Sequence, residues 1–369
     1  MPGPRNILHV YSGNLFGGVE RMLISLSALD GSAGGSHFAL CFEGKLSRAL
    51  QANRAPVTFL VPVRLRNPLS VLRARHALAR LLRTQRFDRV VCHGIWAHCI
   101  FAPVIARAGR APILYLHDIP EPKNLFYRWG WLHPPALCIA NSATTATAVA
   151  ELTPRVPVHI VHPLVRPPSP PERSAVRELR ARLGVEPSEL VIFQASRFEP
   201  WKGHRNLLRA LGALKDVPSW RCWIAGAPQR PEEEAYKTEL VRLIDSLGLA
   251  ERVSFIGHRD DMDTALAASD IYCQPNETPE PFGMVFIEAL YAGKPVVGLA
   301  LGGTGEIITP ECGILCPPGA RPLANALRRL LENSTLREQM AEFGPARAAA
   351  LSGPESFRAR FQAALESAH

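Results

Sequence analysis

Short apolar runs rich in β-branched residues alternate with longer stretches whose apolar positions recur every three or four residues, and the alternation continues along almost the whole chain. The runs predict strands over residues 6–11, 38–42, 57–61, 89–92, 113–116, 136–140 and 158–161, then over 190–195, 221–225, 252–256, 271–274 and 295–299. Helical spacing falls between many of them, as over 19–29, 69–82, 144–152, 204–214, 232–247, 262–268 and 284–292. Strand–helix alternation of this kind is the signature of an α/β protein, with parallel sheets covered on both faces.

Between the two series lies 161–171, with five prolines in eleven residues. Proline fixes its own φ and has no N–H, so this stretch is neither a helix interior nor a central strand. It reads as a semi-rigid linker over 166–173, joining a doubly wound domain over 1–165 to a second over 174–353. Two such domains on a proline hinge enclose a cleft, and ligands of open parallel sheets bind beyond the carboxyl ends of the strands.

A length of 369 residues agrees with two domains and a core that needs no disulfide or metal. No run approaches the ~18 apolar residues of a membrane span, and residues 1–5 do not resemble a signal peptide, so a cytoplasmic protein is expected. Most of the eight cysteines sit inside apolar runs without a Cys-x-x-Cys pair, which suits buried thiols in a reducing compartment. His93 and His98 flank Cys92 and Cys99, but at no spacing known for a metal site.

Charge divides the chain. Residues 1–165 hold 18 Lys and Arg against 7 Asp and Glu, whereas the remainder holds 24 against 26. A basic first half suits an anionic partner. Much of the excess lies within 64–89, where Asn67-Pro68 has the form of an N-cap followed by proline at the first helical position. Arg66, Arg73 and Arg80 recur every seven residues and share a face, which is either solvated or a contact for an anionic membrane or a phosphate-bearing acceptor. Nothing in the pattern resembles a nucleic-acid-binding motif.

Three clusters carry candidate chemistry. Residues 12–20 follow the first strand and open a helix, and Gly17 and Gly18 would let the backbone approach a phosphate. The same glycines would serve an unliganded tight turn, and neither G-x-G-x-x-G nor a Walker lysine is present. In A-S-R-F-E-P-W-K-G, Arg197 and Lys202 stand five apart beyond a strand, either as two surface cations or as a diphosphate clamp. In N-E-T-P-E-P-F-G-M-V-F-I-E, a proline loop precedes a helix that stops at Gly293. Glu280 lies before this helix and Glu288 on it, and the N–H groups of Phe282, Gly283, Met284 and Val285 would face an anion.

With Glu280 and Glu288 set in E-P-F-G-M-V-F-I-E, the third cluster resembles the E-x7-E signature of the retaining GT-B glycosyltransferases of family 4, also called group 1. Further likenesses follow along the chain: Gly17–Glu20, Leu116-His117-Asp118, Asn141-Ser142, Ser196–Gly203 and Gly302–Glu306. The resemblance implies a GT-B architecture, two Rossmann-like doubly wound domains facing a central cleft, with the last helix over 354–369 packing back on the first domain. It implies that Arg197 and Lys202 neutralise a departing nucleoside diphosphate, which Gly17 and Gly18 admit from the other side. It also implies that Glu288 holds the ribose, the loop at Gly257 and His258 the base, and Glu280 with the amides of residues 282–284 the donor sugar. His117 would bond the sugar near the reacting carbon.

Glu277 stands three residues before Glu280 and competes with it as the sugar-facing acid. His117 can instead be a satisfied core histidine, His93 and His98 are read as structural in preference to acceptor-binding, and Asp118 is read as structural. No Asp-x-Asp motif is present, so neither metal nor cofactor is expected, the two cations serving in place of a metal. The implied activity is transfer of a sugar from UDP- or GDP-sugar, UDP slightly preferred, to a glycan or lipid-linked acceptor in polysaccharide or lipopolysaccharide assembly. A nucleotide-sugar 2-epimerase and a non-catalytic nucleotide-sugar-binding protein are the alternatives. The missing G-x-G-x-x-G disfavours a nicotinamide dehydrogenase.

Overall fold

The computed structural model describes residues 6–13, 16–30, 35–64, 66–121, 123 and 125–368. The chain forms two compact units, Met1–Arg166 with Pro354–His369, and Pro167–Gly353.

The first unit is built on β1 (Ile7–Tyr11), β2 (Ser36–Leu40), β3 (Val57–Phe59), β4 (Arg89–His93), β5 (Pro112–Leu116), β6 (Leu137–Ala140) and β7 (Val158–Ile160). All neighbours are parallel, in the order β3-β2-β1-β4-β5-β6-β7. The second unit holds β8 (Leu190–Ala195), β9 (Trp220–Ala225), β10 (Val253–Gly257), β11 (Ile271–Gln274), β12 (Val296–Leu299) and β13 (Gly313–Cys316), in the order β10-β9-β8-β11-β12-β13. Each sheet reverses its direction of winding once, at β1/β4 and at β8/β11. The carboxyl ends there are the switch points at which such sheets take ligands.

The helix Gly94–Arg107 is apolar on every side and almost wholly buried, so it carries no amphipathic stripe to read from sequence, and Pro103 lies inside it. Part of the proline-rich stretch belongs to the first unit rather than to a linker. Residues 161–165 are buried, the Val161 carbonyl accepts a 2.7 Å bond from the Tyr115 hydroxyl, and the exposed run starts at Arg166. Arg173, taken above as the end of the linker, opens the helix Arg173–Arg182.

The helix Pro354–Ser367 lies on the first sheet. Its Phe357 and Phe361 rings stack 5.2 Å apart, and Arg360 bonds His162 at 2.9 Å. The basic helix spans Pro68–Thr84, with the Asn67 side chain accepting from Leu69 N at 3.1 Å as its N-cap, so Arg66 stands just ahead of it. All eight cysteines are free and buried, and burial pushes the thiols of Cys41 and Cys99 up to about 12. No helix among the described residues is long and apolar enough to cross a membrane.

Candidate active site

In the second unit, the turn after β8 is fixed by a close backbone approach. Gly203 has φ +75°, and a Cβ there would lie 1.8 Å from the Pro275 carbonyl oxygen, so only glycine lets the 197–203 turn meet the loop after β11. Glu277 N–H donates to the Trp201 carbonyl at 2.7 Å and joins the same two segments. Lys202 Nζ reaches Glu280 Oε2 at 2.9 Å, and the Asn276 amide donates to that same oxygen. Lys202 also stands 3.7 Å from the Trp201 ring centre, a cation–π contact.

Glu280 is therefore the inward acid of the pair considered above, partly buried beside a lysine, whereas the Glu277 side chain is exposed. Its backbone is braced by the late glycine pair. Gly303 N–H donates to the Glu280 carbonyl at 2.8 Å, and Gly302 pairs with Glu280 in a short parallel bridge.

Arg197 turns to a carboxylate of its own turn. It pairs with Glu199 at 3.1 Å and stays 44% exposed, while Glu199 also accepts from the Trp201 indole at 3.0 Å. Glu288 lies half-buried on the helix Met284–Tyr291, which Gly283 caps. Burial, then the nearby Glu288 and Glu280 carboxylates, push the Tyr272 phenol well above its ordinary value, and its hydroxyl donates to Gln274 at 2.6 Å. Phe282 is buried, while Met284 and Val285 are half-buried at the start of the helix. The Gly257 carbonyl accepts from Gly226 N at 2.9 Å, and His258 is exposed, 3.3 Å from Asp260.

In the first unit, the glycine loop follows β1, and its Asn14 and Leu15 lie outside the described residues. Gly17 N–H donates to Glu20 at 2.8 Å, a helix-start contact from the third helical residue back to the cap. The other Glu20 oxygen accepts from Tyr11. Gly17 and Gly18 are exposed. His117, beyond β5, is held by its backbone and its ring. The Asn141 amide donates to its carbonyl at 2.9 Å, Thr145 donates to Asn141 at 2.7 Å, and Ser142 caps the helix Ala143–Leu152. The Asn-Ser pair noted in the sequence thus clamps His117. Its ring Nε2 lies 3.0 Å from His93 Nδ1, and His93 Nε2 lies 2.9 Å from His9 Nδ1.

Burial lowers His117 and His9 to about 3 and drives His93 well below its ordinary value, so all three are neutral at physiological pH. His98 is apart, bonded to the His133 carbonyl at 2.8 Å. Asp118 accepts from Tyr127, in keeping with a structural role. Sequence reading missed Glu199, Asn276 and His9. The first two lie inside the motifs that were read. The third is a polar residue in the middle of an apolar strand, which is itself a signal.

Residues 175–347 match the model of the glycosyl transferases group 1, and residues 16–167 match that of glycosyltransferase family 4. The chain belongs to glycosyltransferase family 4. Among its relatives, a lipopolysaccharide core biosynthesis glycosyltransferase, LpsD of Rhizobium meliloti, is 29% identical over 96% of this chain and 94% of that protein. A D-inositol 3-phosphate glycosyltransferase of a Mycobacterium species is 38% identical over 40% of this chain and 32% of that protein. Anabaena HepE, solved in complex with UDP-glucose, superposes with a TM-score of 0.85 at 26% identity, over 98% of this chain and 99% of that one. The lipopolysaccharide glycosyltransferase WaaG shares the fold, with a TM-score of 0.68 at 17% identity, over 97% of this chain and 98% of that one. The fold is thus the GT-B architecture, a pair of Rossmann-like parallel-sheet units, and the family 4 assignment makes the chain a glycosyltransferase.

Proposed function

We propose that this glycosyltransferase moves a sugar from a nucleoside-diphosphate sugar, UDP-linked in preference to GDP-linked, to a glycan or lipid-linked acceptor of polysaccharide or lipopolysaccharide assembly, with retention at the anomeric carbon. The observation that carries the reading is the Lys202–Glu280–Asn276 cluster. It sets a cation and a hydrogen-bonding acid side by side at the carboxyl ends of β8 and β11. Anabaena HepE, solved with UDP, with UDP and glucose and with UDP-glucose, supports the choice of donor, and the LpsD likeness supports the acceptor class.

In this reading Glu280 accepts from hydroxyls of the donor sugar, and Lys202, with two ammonium protons beyond the one given to Glu280, meets the diphosphate. Exposed Arg197 swings from Glu199 to join it. Charge developing on the leaving phosphate is then met by the two cations and by the start of the helix Met284–Tyr291, which raises the rate without a metal. Glu288 takes the ribose, the Gly257–His258 backbone the base, and Gly17 and Gly18 the diphosphate from the first unit. His117 bonds the sugar near its reacting carbon. The basic face at Arg66, Arg73 and Arg80 keeps the enzyme on the cytoplasmic face of an anionic membrane, where a lipid-linked acceptor resides.

Thermal stabilisation against a panel of nucleotide sugars and free nucleotides tests the donor, since a ligand that binds only the folded chain raises the melting temperature. A shift with UDP and UDP-sugars, lost in Arg197→Ala and Glu288→Ala, is expected. A shift confined to guanine nucleotides would overturn the UDP preference, and none with any nucleotide would overturn the whole reading.

A further inference from the structure

Three histidines of the first unit are joined ring to ring, although they come from three separate segments. Ser36 Oγ lies 3.2 Å from His9 Nε2, His9 Nδ1 lies 2.9 Å from His93 Nε2, and His93 Nδ1 lies 3.0 Å from His117 Nε2. The register of the sheet creates the line: β1 pairs with both β2 and β4, so His9 stands between the strands that carry Ser36 and His93. Ring centres 5.2 Å apart for His9 and His93, and 5.3 Å apart for His93 and His117, match imidazoles joined nitrogen to nitrogen along their in-plane axes. These are aligned hydrogen bonds rather than face-to-face stacks. Phe38 and Phe361 flank His9, and Tyr115 flanks both His93 and His117. None of the hydrogen bonds of this line involves a carboxylate, the usual partner of a functional histidine.

A neutral imidazole has one N–H and one lone pair. Every link needs one donor and one acceptor, so the line has only two neutral arrangements, with all protons pointing toward Ser36 or all pointing toward His117. Ser36 decides between them. Its hydroxyl is buried and has no partner among the described residues other than His9 Nε2. If His9 Nε2 held the proton, the serine O–H would be a buried donor without an acceptor, the costlier kind of unsatisfied group. The favoured arrangement is Ser36 O–H to His9 Nε2, His9 Nδ1–H to His93 Nε2, and His93 Nδ1–H to His117 Nε2. The His117 proton is then left on Nδ1, which has no partner among the described residues.

We propose that Ser36, His9 and His93 form a positioning chain that holds His117 as its Nδ1–H tautomer, so that it presents a fixed N–H donor to an oxygen of the bound sugar. The inference rests on the transferase reading for the identity of that oxygen, but the tautomer itself does not depend on it. The residues that reach sugar act directly. Ser36 and His9 act only through His93 and His117.

The test uses the full chain labelled with 15N-histidine. Imidazole 15N–1H correlation at neutral pH, assigned with single-histidine variants, should show His9, His93 and His117 each protonated at Nδ1 alone. Finding Nε2–H or a charged ring at any of the three overturns the proposal. Ser36→Ala removes the deciding donor and should mix the tautomers of all three rings. In sugar transfer, His9→Phe keeps the packing against Phe38 and Phe361 but breaks the line. It should lower kcat roughly tenfold, as loss of an orienting partner does elsewhere, with KM for the nucleotide sugar little changed. His9→Asn keeps an N–H where Nδ1–H stood and should recover most of that loss. Unchanged tautomers in Ser36→Ala, or equal kcat in His9→Phe and His9→Asn, would overturn the chain. A wild-type protein that transfers no sugar from any donor would count against the transferase reading alone, because the spectrum still reads the tautomers.

Discussion

Lys202 and Glu280, 78 residues apart in sequence, meet at 2.9 Å with only 13% of each side chain exposed. Water screens such a pair poorly, and the carboxylate also accepts from Asn276. Removing the lysine leaves a largely buried carboxylate with one neutral donor. Lys202→Ala should therefore destabilise the second unit by about 1.5–3 kcal/mol. The double variant Lys202→Ala/Glu280→Ala should cost less than the two single losses added together, which a double-mutant cycle in urea reads directly. Turnover should fall at least about 100-fold in either single variant, as when one preorganised charge-stabilising group is removed.

Gly302 offers a route to the same acid without touching a charge. Its φ is +67°, and a Cβ there would stand 2.4 Å from the Glu280 carbonyl oxygen and 2.6 Å from its nitrogen. Gly302→Ala must push the 279–282 backbone away, at a cost of about 1–3 kcal/mol for the strained residue. The expected outcome is a second unit that still folds, binds free nucleotide with nearly normal affinity, and turns over slowly because Glu280 is displaced. Equal loss of nucleotide affinity and of kcat would place the damage elsewhere.

Much of this site was legible before any coordinate. Periodicity gave twelve of the strands because each is a short apolar run between turn residues. β13 (Gly313–Cys316) escaped because four residues bounded by glycine and proline carry too little pattern. The helix Gly94–Arg107 escaped for the opposite reason, being apolar all round. The motifs located Lys202, Glu280 and His117, but spacing along a chain says nothing about which side chains meet. The pairing of Arg197 with Glu199 and of Lys202 with Glu280 depends on a turn whose shape Gly203 and Pro275 decide together. The histidine line depends on the register of β1, β2 and β4, a tertiary property that no local pattern encodes.

Those histidines should leave a mark on acid stability. Burial lowers His9 and His117 to about 3, His98 and His204 to about 4, and His93 well below 6.5. As pH falls through about 6.5, the unfolded chain takes up a proton at each, whereas the folded chain does not until its own lower value is reached. Stability is therefore fully present above that range and is lost as pH falls toward the folded values, by up to ~1.4 kcal/mol per pH unit for each histidine. Four of the five lie in the first unit, which should melt first in acid. Denaturation midpoints measured at intervals from about pH 7.5 to 5 should fall steadily, and less steeply in His9→Phe than in wild type. Equal slopes for the two proteins would show that His9 takes up its proton while folded.

The basic helix makes a prediction that separates charge from apolar contact. On Pro68–Thr84, Ala74, Leu78 and Leu81 turn into the core, while Arg73 and Arg80 face outward together with Leu69, 61% exposed, and Leu72, 57% exposed. No acidic residue interrupts the run from Arg64 to Arg86. A face that joins arginines to bare leucines suits the boundary between lipid headgroups and acyl chains better than water alone. Each arginine near an anionic surface is worth about 1 kcal/mol, so Arg66→Ala/Arg73→Ala/Arg80→Ala should weaken binding to phosphatidylglycerol vesicles by roughly 100-fold. The wild-type affinity should fall with salt between about 0.1 and 0.5 M as the Debye length shrinks. Leu69→Ser/Leu72→Ser should weaken binding by a factor that salt leaves unchanged, because it removes apolar area and no charge. Cosedimentation with anionic and with phosphatidylcholine vesicles reads both effects. If the triple arginine variant sediments with anionic vesicles as fully as wild type, this face is a solvated one and the acceptor must reach the enzyme by another surface.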